Sequence, residues 1–177
     1  QGYAEWLVEK NTEVKGNNLV KVIRLLKYLR NIKQTFSCKS ILLTTLIANQ
    51  VGGFGDFFDP YTDLPSTLKV LINRLDAFLQ ANERMPVISN PVSDHEDFNR
   101  HWDQEKYDNF KNQINRYSGW INDAFEEEGQ SESIEKWQKI FGEDFGKQVA
   151  SNVLLAISND PRNNALIPAH VEKLRWP

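Results

Sequence analysis

The sequence holds one cysteine, Cys38, one methionine and three histidines in 177 residues. A lone cysteine excludes an intrachain disulfide framework and a zinc site built on several thiolates. It fits a reducing compartment, so the expected location is cytoplasmic. No apolar run approaches the length of a membrane span, and no basic-then-apolar leader opens the chain, so no membrane partner is expected. Neither sign of charge dominates: 21 Lys and Arg against 24 Asp and Glu leave a formal net charge of −3. That balance argues against gripping nucleic acid by bulk charge, although a local basic stripe would survive the objection. Catalytic groupings are missing as well. No Ser-His-Asp or Cys-His arrangement stands in a credible context, and no Gly-Ser followed by Asp-x-Asp occurs. Metal-dependent nucleotidyl transfer needs two or three carboxylates holding two Mg²⁺ ions about 4 Å apart, and no such set is present.

What is present reads as helix. The 40 % hydrophobic and 25 % charged fractions are those of a globular domain, long enough to bury roughly 70 % of its unfolded surface. Tyr3 to Lys10 suits a short helix closed by Gly16-Asn17-Asn18. From Leu19 to about Phe36, the residues Leu19, Val22, Ile23, Leu26 and Leu29 recur at spacings of three and four, the mark of an amphipathic helix. Ser37 is placed to cap the next helix, Lys39 to Gln50, which is apolar on most sides and therefore central. Asp63-Leu64-Pro65 starts another helix, with a capping residue ahead of a proline. Residues 85–99 hold two prolines among polar residues and read as a connection without a regular element. A long helix spans about Asp103 to Glu128, and shorter ones Ser133 to Phe141 and Lys147 to Ser158. The expected architecture is an all-α bundle of six or seven helices over 1–159, with an irregular tail over 160–177. Both ends read as cut from a longer polypeptide.

The candidate chemistry lies on the second and third helices. Lys21, Arg24, Lys27, Arg30 and Lys33 recur every three residues. Three helical steps fall short of a turn by roughly 60°, so this ridge winds around the helix: Lys21 points away from the apolar arc, Lys27 flanks it and Arg30 reaches into it. Such a ridge is either a solvated face with snorkelling stems or a wall on which Lys27 and Arg24 face a bound anion. Spacing leaves both readings open. Ser40, following Lys39, sits near the mouth of a buried helix, where phosphate oxygens find N–H donors. A lysine beside one buried helix and a serine at the start of the next is a good shape for holding a polyphosphate.

Other motifs have plainer readings. Gly52-Gly53-Phe54-Gly55 follows a helix and lacks the Gly-Lys-Ser/Thr ending of a phosphate loop, which makes it a connector. Asp94, His95, Asp97 and His101 are metal-ligand types, but in a loop entering a helix they more often cap or face water. Glu126-Glu127-Glu128 is a solvated helix end, and Trp6, Trp102, Trp120 and Trp137 fall where core packing is expected.

Taken in order, several stretches resemble the helical C-terminal lobe of bacterial cGAS/DncV-like nucleotidyltransferases, the SMODS-type enzymes of CBASS anti-phage systems. They are Leu25-Leu26-Lys27-Tyr28-Leu29, Lys39-Ser40, Thr62-Asp63-Leu64-Pro65, Pro86 to Pro91, Phe98 to Trp102, and Trp137 to Gly142 with Phe145. The resemblance runs from about Trp6 to Gly146. It implies the helical lobe of a two-lobed enzyme in which Lys27 and Ser40 contact a nucleotide triphosphate, with Arg24 and Lys39 as companions. It further implies a catalytic lobe, outside this sequence, that supplies the Mg²⁺-binding carboxylates, so that this chain alone would be inactive. The parent would join nucleoside triphosphates into cyclic oligonucleotides that act on a downstream effector. Two other functions stay open: the lobe of a tRNA-end-adding or oligoadenylate-type polymerase, and a helical module that binds protein or nucleic acid through its basic ridge.

Overall fold

The computed structural model describes residues 2–52, 56 and 60–145. Among these there are six α-helices and one β-hairpin: α1 (Tyr3–Thr12), α2 (Asn18–Lys33), α3 (Ser40–Ala48), α4 (Leu64–Ala81), β1 (Ser89–Asn90), β2 (Ser93–Asp97), α5 (Gln104–Glu126) and α6 (Gln130–Phe141). The all-α architecture agrees with the periodicity. The expected helix Lys147 to Ser158, the tail 160–177 and Gly53-Phe54-Gly55 lie outside the described residues. Two compact units divide the chain, 1–118 and 119–177, with α5 running through the boundary.

In the first unit α3 packs against α1, α2 and α4. Seven successive residues, Leu42 to Ala48, are buried, as a helix apolar on all sides requires. The two threonines inside it are satisfied locally, Thr44 Oγ1 donating to the Ser40 carbonyl at 2.7 Å and Thr45 Oγ1 to that of Ile41 at 2.9 Å. Helix α2 buries Leu19, Val22, Ile23, Leu25, Leu26 and Leu29. It stops at Gln34, whose backbone turns left-handed at φ 53°. Helix α4 begins as its sequence foretells: Asp63 Oδ1 accepts from the Ser66 N–H at 2.8 Å and Pro65 lies in the first turn.

Two expectations need correction. Ser37 does not cap α3. The helix begins at Ser40, Lys39 occupies the cap position, and no side chain bonds the first N–H groups; the Ser37 carbonyl instead accepts from Trp102 Nε1 at 3.0 Å. Residues 85–99 are not irregular throughout, because β1 and β2 pair antiparallel. The hairpin is set by Asn99, buried, whose Oδ1 accepts from the Ile88 N–H at 3.0 Å while its Nδ2 donates to the Pro86 carbonyl at 2.6 Å. Two backbone groups freed by the prolines' region are thereby paired.

In the second unit α6 buries Ser133, Trp137, Ile140 and Phe141. Ser133 Oγ donates to the Ala124 carbonyl at 2.8 Å. Lys136 Nζ meets Glu127 Oε2 at 2.7 Å, and Lys139 lies over the Trp120 ring at 5.1 Å.

The connection after α3 is tied down by one ionic cluster. Asp56 Oδ1 lies 2.6 Å from Arg74 Nη1, and Asp56 Oδ2 accepts from the Gly52 N–H at 2.7 Å and the Tyr61 hydroxyl at 2.8 Å. Gly52 holds φ at +86°, which a side chain would strain. Burial raises the Asp56 carboxyl's pKa, but hydrogen bonds from Tyr61, Arg74 and Gly52 outweigh it and hold the pKa below the ordinary carboxylate value. A carboxyl depressed on folding contributes stability above its unfolded pKa, near 3.9, and loses it as pH falls through the folded value. Asp56→Asn is expected to lower stability by about 2 kcal/mol at pH 7. In denaturant melts the deficit against the parent should shrink below about pH 4.

Candidate functional site

Between α1, α2 and the start of α3 lies a hollow of about 370 Å³, within the roughly 300–1,000 Å³ usual for ligand sites. Leu7, Val20, Ile23 and Ile41 give it apolar walls, Tyr3 and Thr44 bring hydroxyls, and Arg24, Lys27 and Ser40 supply the remaining polar lining. Three of the four residues expected from sequence therefore meet in one place. Arg24 and Lys27 stand one helical step of three apart on α2, and Ser40 is the first residue of α3. Lys39 does not line this hollow. It is exposed, and its charge falls instead on His101, which it and Arg100 push below the ordinary imidazole range.

The electrostatics favour a negative ligand. No carboxylate is among the lining residues, and among the described residues neither Arg24 nor Lys27 is paired with one. Burial, reinforced by the charge of Arg30, holds the Lys27 amine below its usual pKa. The ammonium thus sits where its own fold disfavours it. The first turn of α3 adds N–H groups that no side chain caps, at the positive end of the helix dipole. Tyr3 is fixed by its hydroxyl's 2.9 Å bond with Thr45 Oγ1 and by edge-on contact of its ring with Phe98. Cys38, just before the helix, is inert: burial pushes its thiol to about 12 despite the nearby Arg30 charge.

Arg30 is the residue that spacing did not single out. Its position in the winding ridge was visible, but its role depends on the path of residues 34–39, which returns Cys38 and Ser40 to its guanidinium. The metal-type residues do not gather: among the described residues no group of three or more His, Cys, Asp or Glu side chains comes together. Nor is any described helix long and apolar enough to cross a membrane.

No family model matches the sequence, and no curated protein matches it. Solved structures do. The CdnC:HORMA-deltaN complex of E. coli MS115-1 superposes with a TM-score of 0.58 at 19 % identity, over 77 % of this chain and 49 % of that one. CdnC with ATP from the same source gives 0.56 at 20 % identity, over 78 % and 49 %. CdnC is a CBASS cGAS/DncV-like cyclic nucleotide synthase. In fold, the chain is similar to half of CdnC. The resemblance carried by the sequence motifs is thus met by CdnC at the level of fold, and the chain spans about half the length of these neighbours.

A charged group disfavoured by its surroundings costs stability in the free protein. For a lysine whose pKa is lowered on folding, that cost is fully present below the folded pKa and is relieved as pH rises through it. Lys27→Met should therefore melt no lower than the parent at pH 7, and about 2 °C higher on the scale typical of small charge changes. A clear loss of melting temperature would mean that Lys27 is a structural residue.

Proposed function

We propose that this chain is the nucleotide-holding helical lobe of a nucleotidyltransferase that makes cyclic oligonucleotide messengers. The observation that carries the reading is the hollow itself, where two cations unpaired among the described residues, a serine hydroxyl and an uncapped helix start converge without a carboxylate. Similarity of fold to CdnC, one structure of which contains ATP, supports a nucleoside triphosphate as the anion. In this reading Lys27 supplies a point charge to the phosphates, Ser40 a hydroxyl and a backbone N–H, and Arg24 a second charge at the exposed rim. Lys39 adds long-range attraction from outside the hollow.

The described residues do not fit the Mg²⁺ ions that such transfer uses, since they form no cluster of carboxylates. No chemical step is assigned to this chain. The metal-binding carboxylates are assigned to a catalytic lobe outside the sequence, and that lobe is its first partner. The downstream effector responds to the product and not to this surface, and the protein works in the cytoplasm.

Two measurements test this. The 177-residue chain mixed with labelled ATP and Mg²⁺ should give no turnover. In the enzyme containing both lobes, Lys27→Ala should raise KM for nucleoside triphosphate by about tenfold, the scale of one charge-assisted contact. Unchanged kinetics would remove Lys27 from the site. A linear product, or dependence on RNA, would point to a polymerase of the tRNA-end-adding or oligoadenylate type.

A further inference from the structure

Arg30 stands behind Ser40, outside the hollow. It lines a separate, larger hollow of about 690 Å³ beside Ser37, Cys38 and Asn109, and its guanidinium reaches from there to Ser40. Its Nη1 donates to the Cys38 carbonyl at 2.6 Å, Nη1 and Nη2 each donate to Ser40 Oγ at 3.3 Å, and Nε donates to Asn31 Oδ1 at 3.1 Å. With those contacts made, most of the guanidinium's donors are engaged within the protein, which leaves it poorly placed to grip a ligand.

The direction of the Ser40 contact matters. A guanidinium donates and cannot accept, so Ser40 Oγ must be the acceptor in both bonds. The hydroxyl proton is then left over. Thr44 bonds the Ser40 carbonyl and not its hydroxyl, and among the described residues no acceptor takes that proton. Ser40 lines the Lys27 hollow, so the hydroxyl can offer it a proton from an oxygen polarised by two N–H groups of one guanidinium. An acceptor-rich anion complements that arrangement, whereas an amine or a metal cation does not.

We infer that Arg30 is a positioning residue for polyphosphate binding, fixing Ser40 as a hydrogen-bond donor into the hollow. The inference rests on the function proposed above and adds the residue that gives Ser40 its polarity. It also accounts for the turn between α2 and α3, because one side chain ties the Cys38 carbonyl and the Ser40 hydroxyl to the last turn of α2.

The test is a double-mutant cycle on the 177-residue chain, with affinity for inorganic tripolyphosphate read by calorimetry. Ser40→Ala and Arg30→Gln should each weaken binding by about tenfold, the scale of one hydrogen bond to a charged group. The double variant should bind no more weakly than Ser40→Ala alone. If Arg30→Gln leaves affinity unchanged, or weakens it by the same factor in the Ser40→Ala background, Arg30 does not act through Ser40 and the inference fails while the hollow stands. If the parent itself does not bind tripolyphosphate, both the inference and the reading of the hollow fail. Should Arg30→Gln lose its helical circular dichroism, Arg30→Lys replaces it in the cycle. That variant keeps the charge but lacks the fork, and it must show the same loss dependent on Ser40.

Discussion

Helix α3 buries seven successive residues on every side at once, and that burial dictates what surrounds it. Each fully buried leucine or isoleucine contributes on the order of 2 kcal/mol, a gain realised only when α1, α2 and α4 all close around the helix. A helix so enclosed has few places to begin. It surfaces at Ser40, against the last turns of α2, and its first N–H groups open there without a side-chain cap. The position of the hollow is thus a consequence of packing.

Two charged sites in the first unit are built on opposite principles. Arg74 is surrounded by acceptors: Asp56 at 2.6 Å, the Gln50 carbonyl at 3.0 Å and the Tyr61 hydroxyl at 2.9 Å. It closes a connection and serves stability. Lys27 is partly desolvated, repelled by Arg30 and provided with no counter-charge among the described residues. Lys27 and Arg24, both left without a counter-charge among the described residues, make this hollow a candidate binding site. Arg30 belongs to neither kind, since its contacts direct another residue.

Much of this was legible in the sequence because burial imposes period. Leu19, Val22, Ile23, Leu26 and Leu29 marked the inner face of α2, and the unbroken apolar run after Ser40 marked α3 as central. Asp63 and Pro65 announced the start of α4 through local chemistry alone. The hairpin was not legible, because β2 reads Ser-Asp-His-Glu-Asp and has no apolar alternation. Its order comes from Asn99, a tertiary contact. Ser37 looked like a cap because serine favours that position, but the turn carries its carbonyl to Trp102 instead. Lys27 and Ser40 could be proposed as neighbours from spacing and from the family resemblance. That Arg30 holds Ser40 could not be, because the bond depends on the path of residues 34–39.

The central claim is that an anion, specifically a chain of phosphates, occupies the space that α2 and the first turn of α3 enclose. A crystal structure of the chain grown with a non-hydrolysable nucleoside triphosphate tests it most directly. The account predicts phosphate density within hydrogen-bonding reach of both Lys27 Nζ and Ser40 Oγ. Phosphates bound on another surface, with that hollow filled only by water, would contradict it.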